Sequence, residues 1–240
     1  MTYHSLTQPG TREINEDSTA ILEQDGRLCF VVADGLGGHG KGELASQKLT
    51  EIFSQAFALG AEDGEAFLSS TFTLAQDEIM SEQKRLGVAF EMKTTAVALT
   101  ILNNKCRWGW VGDSRLYMFR KNRVKARTLD HSVPQMLALS GDIKEKQIRR
   151  HPDRNRLLRV LGVEWDSPRY EISDEMDLVD CQAFLLCSDG FWELIDEKRM
   201  CALLKKSSDA KQWLEAMTAE VTANGTERDM DNYSAIAVMI

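Results

Sequence analysis

The sequence predicts an α+β fold: about ten antiparallel strands in two sheets, with helices packed outside. Three observations carry that prediction. Apolar runs of strand length recur along the chain and are joined by turn-forming residue pairs. Four longer stretches repeat their apolar residues at helical spacing instead. No repeat, low-complexity tract or Pro/Gly-rich linker divides the 240 residues, which include only 4 prolines, so one domain spanning 1–240 is expected.

Residues 18–24 read as a strand, Asp25-Gly26 as a two-residue hairpin turn, and 28–33 as a nearly all-apolar partner strand. Helical periodicity follows over 42–59 (Leu49, Ile52, Phe53, Ala56), with Gly60 as the stop, and again over 65–85 (Phe67, Leu68, Phe72, Ala75, Ile79), stopped near Gly87. The middle is a meander of strands at 94–102, 106–111, 115–120 and 123–128. The connections Asn103-Asn104, Gly112-Asp113 and Lys121-Asn122 are short enough to make consecutive strands antiparallel neighbours. Residues 129–165 read as short helices and loops. Strands near 169–172 and 183–188, helices at 196–205 and 209–222, and a closing strand at 233–240 complete the chain.

The bulk numbers exclude several classes. A hydrophobic fraction of 43% and a charged fraction of 28% are those of a globular protein. A net charge of −8 argues against unaided binding to nucleic acid or an anionic membrane, and the basic stretch 144–159 is interrupted by Glu145 and Asp153. The five cysteines are scattered with no CxxC pair, so they read as free structural thiols in a reducing, cytoplasmic setting. The first residues show no signal-peptide pattern, and no apolar stretch approaches the length of a membrane span.

The stretch "VVADGLGGHGKGE" poses the functional question. Gly35, Gly37 and Gly40 have the spacing of a dinucleotide-binding turn, and Gly35 to Lys41 makes most of a P-loop. The first reading lacks the second parallel strand and its acidic residue. The second lacks the Ser or Thr after the lysine, since position 42 is Gly. A titration with NAD would test an oxidoreductase directly.

Acidic residues offer a better account. Asp34 follows one apolar strand and Asp189 another, each followed by Gly. Asp113 lies just beyond 106–111, and Asp231 just before the last strand. One sheet edge collecting these four would crowd carboxylates that repel unless a divalent cation joins them. All-oxygen ligands select Mg²⁺ or Mn²⁺, and Gly35, lacking a Cβ, lets its carbonyl approach a metal.

The stretches "TREINEDS", "VVADGLGGHGKGELAS", "KTTAVAL", "WVGDSRLYMFR", "LDHSVPQMLALSGDIKEKQIRRHPDRNRLLRVLG", "LLCSDGFWELI" and "DNYSAIAVMI" occur in this order. Together they resemble the metal-dependent protein phosphatases of type 2C (the PPM family) in their compact bacterial form, over nearly the whole chain. The resemblance implies a four-layer αββα sandwich, two mainly antiparallel β-sheets flanked by helix pairs. It implies Mn²⁺ or Mg²⁺, two ions per site with a weaker third. Asp34 would bridge the two ions, the Gly35 carbonyl would bind one, and Asp189 and Asp231 the other. Asp17 would support the site, with Glu16 contributing through water. Asp113 resembles a third-ion ligand, as does Asp142 in the flap at about 130–162. Arg12 resembles the arginine that clamps the substrate phosphate.

The reaction so implied is hydrolysis of phosphoserine or phosphothreonine in proteins by a water that the two ions prime, opposing a serine/threonine kinase. There is no Cys-x5-Arg loop to supply a protein nucleophile. His39, beside the metal loop, could protonate the leaving oxygen, whereas His131 and His151 read as loop structure. The expected partners are phosphorylated proteins and a cognate kinase acting on the same targets. The expected state is a monomer, with no nucleic acid and no membrane. The competing function is a metal-binding signalling module of the same fold without catalysis, which the intact set Asp34, Asp189 and Asp231 argues against.

Overall fold

A computed structural model describes residues 1–37, 41–226 and 229–240 of the chain. In chain order its elements are β1 (Thr2–Gln8), β2 (Asp17–Gln24), β3 (Arg27–Leu36), α1 (Lys41–Ala58), α2 (Gly64–Leu86), β4 (Lys93–Thr94), β5 (Ala96–Leu102), β6 (Lys105–Val111), β7 (Arg115–Arg120) and β8 (Arg123–Arg127). Then come α3 (Val133–Ser140), β9 (Glu171–Ile172), β10 (Met176–Asp177), β11 (Ala183–Cys187), α4 (Asp189–Trp192), α5 (Glu197–Leu204), α6 (Ala210–Gly225) and β12 (Tyr233–Met239).

The strands form two antiparallel sheets. One runs β1-β12-β11-β7-β8; the other runs β10-β6-β5-β3-β2, with β4 paired to β3 and β9 to β6. Three apolar clusters separate four layers. The first packs α1 and α2 on the second sheet through Leu49, Phe53, Leu68 and Phe72. A middle cluster, with Phe30, Val32, Leu99, Leu116, Leu186 and Ile236, lies between the two sheets. The third packs α5 and α6 on the first sheet through Met200, Trp213, Leu214 and Met217. The expected four-layer sandwich is therefore present.

Local chemistry explains the element ends. Asp63, Ser132, Asp196 and Asp209 cap α2, α3, α5 and α6 by accepting a backbone N–H with their side chains. The hairpin turns Asp25-Gly26, Asn103-Asn104 and Lys121-Asn122 hold both central residues at positive φ, the geometry that matches strand twist.

Two expectations need correction. The meander is not one run of neighbours: β6 belongs to one sheet and β7 to the other, and Gly112-Asp113-Ser114 carries the chain across. Gly112 sits at φ +99, and a Cβ there would stand 2.5 Å from Thr95 Cβ, so only glycine makes the crossing. The N-terminal strand β1 was not expected; it pairs with β12 along its whole length, from Thr2↔Met239 to Gln8↔Tyr233. The cysteines are free as expected, four of them buried. No described helix is long and apolar enough to cross a membrane.

Candidate active site

A cleft of about 480 Å³ opens at one end of the sandwich, lined in part by Arg12, Glu16, Asp34, Gly35, Asp113, Asp189 and Asp231. The expectation that a single sheet edge gathers the acids is corrected. Asp34 lies near the end of β3 and Asp113 follows β6 in one sheet, whereas Asp189 follows β11 and Asp231 precedes β12 in the other. The site lies between the sheets at one shared end.

Asp17 and Asp34 face each other directly across β2 and β3, because the two-residue turn at Asp25-Gly26 sets the register Gln24↔Arg27 and carries it to Asp17↔Asp34. Like charges opposite one another destabilise a sheet unless something compensates. Asp17 Oδ2 accepts from Ser188 Oγ at 2.8 Å, and Ser188 Oγ in turn accepts from the Ser234 N–H at 2.9 Å, so the acid of one sheet is tied to β11 and β12 of the other. Asp17 Oδ1 and Glu16 Oε1 are buried with no hydrogen-bond partner among the described residues.

Gly35 is required by packing. A Cβ there would collide with the backbone oxygens of Gly42 and Glu16, so β3 and the start of α1 meet backbone to backbone. The Gly35 N–H donates to the Glu16 carbonyl at 3.1 Å, and Thr94 and Thr95 hold the Asp34 carbonyl at 3.0 and 2.9 Å. In the pattern that mimicked a nucleotide loop, Gly35 thus serves close packing beside Asp34, and Gly40 lies outside the described residues.

The electrostatics follow from crowding. Burial, reinforced by the carboxylates of Asp17, Asp189, Asp113 and Asp231, raises Asp34 well above the usual range. Burial lifts Asp17 to about 7 against hydrogen bonds from Ser234 and Ser188, and Asp113 is raised mainly by burial and then by Asp189. Asp189 rises to about 6 through burial and the nearby Asp231. Burial also raises Glu16 and lifts Glu193 to about 7. Among the described residues the acids ring the cleft and do not close into a tight ligand cluster.

A hard divalent cation fits this set. Among the described residues the donors are all oxygen, two buried carboxylate oxygens have no hydrogen-bond partner, and the opposed acids Asp17 and Asp34 form no ion pair. The oxygen donors that line or adjoin the cleft are those of Glu16, Asp34, Gly35, Asp113, Asp189 and Asp231, with Asp17 opposite Asp34.

Arg12 lies at the cleft rim, where its Nε and Nη2 donate to the two oxygens of Asp231 at 3.1 and 3.2 Å. Both side chains are about half exposed, so this pair is weak and open to exchange. His39 lies outside the described residues. Asp142 does not line the cleft; its carboxylate accepts from Ser140 beside the end of α3. His131 and His151 are loop structure as expected. The former accepts from the Gly112 N–H through Nδ1 and stacks on Trp110, and the latter accepts from the Asp153 N–H.

Sequence reasoning missed the residues that hold these ligands. Asn232 accepts from the Glu16 N–H and donates to the carbonyls of Pro9 and Ile14, fixing the loop that carries Arg12. Trp192 donates its indole N–H to the Asp113 carbonyl at 3.0 Å while the Arg115 guanidinium stacks on its ring, 3.4 Å from the centroid. Polar residues flanking each Asp ("SDG", "DNYS") were the only available signal. Lys93, Asn155 and Leu157 also line the cleft, the last two from the segment 130–162.

With this geometry in view, the comparisons with known proteins are direct. A family model described as Protein phosphatase 2C matches residues 10–233. The serine/threonine phosphatase stp of Listeria monocytogenes serotype 4b (strain F2365) is 30% identical over 236 residues, covering 95% of this chain and 90% of that protein. Among solved structures, serine/threonine phosphatase Stp1 from Staphylococcus aureus has a TM-score of 0.90 at 24% identity, covering 100% of this chain and 95% of that one. The catalytic domain of serine threonine protein phosphatase PstP in complex with 2 manganese ions has a TM-score of 0.81 at 22% identity, covering 99% and 97%. At these identities the two structures establish a shared fold.

Proposed function

The chain belongs to the protein phosphatase 2C family, and from that premise we propose how its cleft performs metal-dependent dephosphorylation of phosphoserine and phosphothreonine in proteins. The observation that carries the reading is the meeting of Asp34, Asp189 and Asp231, far apart in sequence and borne at strand ends of two sheets, in one cleft with Arg12 at its rim. Asp34, the Gly35 carbonyl, Asp189 and Asp231 would hold a pair of divalent ions, and Asp113 would help hold a third, weaker one. Mn²⁺ and Mg²⁺ both suit this donor set. When bound, the pair supplies an activated water as nucleophile and neutralises charge on the phosphoryl group.

The protein's own groups orient the substrate. The Arg12 fork, which grips a carboxylate through two N–H donors, has the geometry to grip two phosphate oxygens in the same way. Asp17, held by Ser188, stands opposite Asp34 and would support the metal site from there, while Thr94 and Thr95 hold the Asp34 backbone. The segment 130–162 contributes Asn155 and Leu157 to the cleft wall and acts as the flap that touches protein substrates. Its targets are those of a serine/threonine kinase, and the protein works as a cytoplasmic monomer.

The test is Asp189→Asn. Hydrolysis of a phosphothreonine peptide with Mn²⁺ should fall by about 100-fold or more with an unchanged circular dichroism spectrum, and Mn²⁺ binding by calorimetry should weaken. Hydrolysis at the wild-type rate would overturn the site assignment.

A further inference from the structure

The cleft is lined by six acids, Glu13, Glu16, Asp34, Asp113, Asp189 and Asp231, and by two cations, Arg12 and Lys93. Arg12 is held by Asp231. Lys93 forms no ion pair and no side-chain hydrogen bond among the described residues, although carboxylates surround the cleft it lines. Its position is fixed by backbone pairing: β4 pairs with the end of β3 in the register Gly35↔Thr94 and Leu36↔Lys93. Directly opposed residues of an antiparallel pair send their side chains to the same face. Leu36 lines the cleft, so Lys93 stands on the cleft face, while Thr94 turns inward to bond the Asp34 carbonyl.

Leu36 is two residues beyond Asp34 on one strand, which separates the two by about 7 Å. An extended peptide covers that distance in about two residues. With the phosphorylated side chain at Asp34 and Arg12, a neighbouring substrate residue therefore lies within reach of a lysine side chain at position 93.

We propose that Lys93 is a specificity-determining residue, whose ammonium takes an anionic group that the substrate carries within about three residues of the phosphoserine or phosphothreonine being cleaved. The inference rests on the phosphatase reading above and names the substrate class for it: phosphopeptides with a carboxylate or a second phosphate beside the scissile one. Elsewhere on the wall, Glu13 and Glu16 repel such groups. An acidic flank is thus tolerated only where Lys93 meets it, and the enzyme gains orientation along the cleft as well as affinity.

The alternative role for Lys93 is to offset the surrounding acids without touching substrate. Selectivity separates the two. kcat/KM is measured with Mn²⁺ on phosphothreonine peptides that carry alanine, glutamate or phosphoserine at each position flanking the phosphothreonine. Wild type should prefer the best acidic peptide over the all-alanine one by about 5–10-fold, mostly through KM, and the preference should shrink with salt. Lys93→Met should remove the preference, Lys93→Arg should keep it, and Lys93→Glu should transfer it to a lysine-flanked peptide. A response to phosphoserine alone identifies the second phosphate as the recognised group; a response to both identifies any anion. If wild type cleaves all peptides equally well, or Lys93→Met retains the preference, the Lys93 role is overturned and the phosphatase reading stands. If wild type cleaves none of them, the phosphatase reading itself fails and the Lys93 role with it.

Discussion

At the scale of single residues, the site is governed by carboxylates held closer than their charges favour. Asp17 and Asp189 have folded-state values of about 7 and about 6 against an ordinary 3.8. Between those values the folded, metal-free chain keeps protons that the unfolded chain has lost. Stability from these groups is therefore full below about pH 4 and drains away as pH climbs through 6 and 7. The expected outcome is a Tm of the metal-free protein that falls by about 5 °C from about pH 5 to about pH 8, and a slope largely abolished by saturating Mn²⁺. A flat or rising metal-free profile would mean the acids are not crowded. Part of this was legible in the sequence. An Asp-Gly hairpin turn at 25–26 fixes pairs whose numbers sum to a constant, which sets Asp17 against Asp34 without any coordinates. The supporting contacts of Ser188, Trp192 and Asn232 were not legible, because each joins positions that only the fold brings together.

Among the elements, β6 and β7 show where pattern reading fails. A short connection between two strands suggests a hairpin, yet Gly112 to Ser114 moves the chain from one sheet to the other and places Asp113 between them. Sequence cannot separate the two, since a glycine at positive φ suits both a tight turn and a crossing. β1 failed for the opposite reason: "TYHSLTQ" has weak alternation and mostly half-exposed side chains, and its order comes from β12. The strongly periodic helices α1 and α2 were placed to within a residue or so of their ends. The crossing carries its own prediction. Gly112→Ala must hold alanine at φ +99 and press a Cβ on Thr95, costing about 1–3 kcal/mol. Its Tm should fall by several degrees, and metal-dependent turnover should fall further than the residual folded fraction explains, because Asp113 and the Asp34 carbonyl held by Thr95 both move. A variant with unchanged Tm would show that the crossing relaxes easily.

For the whole molecule, the decisive feature is that each sheet contributes two of the four acids. The apolar layer between the sheets is then the spacer that sets their separation, so packing far from the cleft is expected to tune metal binding. Leu186 is fully buried in that middle layer, and Leu68 is fully buried in the outer layer under α2. Truncating either to Ala should cost about 2–5 kcal/mol. Leu186→Ala should also weaken Mn²⁺ binding measured by calorimetry below the melting transition, while Leu68→Ala should leave it close to wild type. Equal metal affinity in the two variants would show that the sheets do not share the load. The four-layer class itself was legible because it needs only element types and their order, whereas the division of acids between sheets depends on a topology that many chains of the same pattern could adopt. The pairing of β1 with β12 has a practical consequence. Thr2 lies beside Met239 at the opposite pole of the sandwich from Asp231. A fluorophore, handle or surface tether attached beside Thr2 or Met239 would project from the face opposite the cleft, leaving the entrance clear for bulky phosphorylated targets.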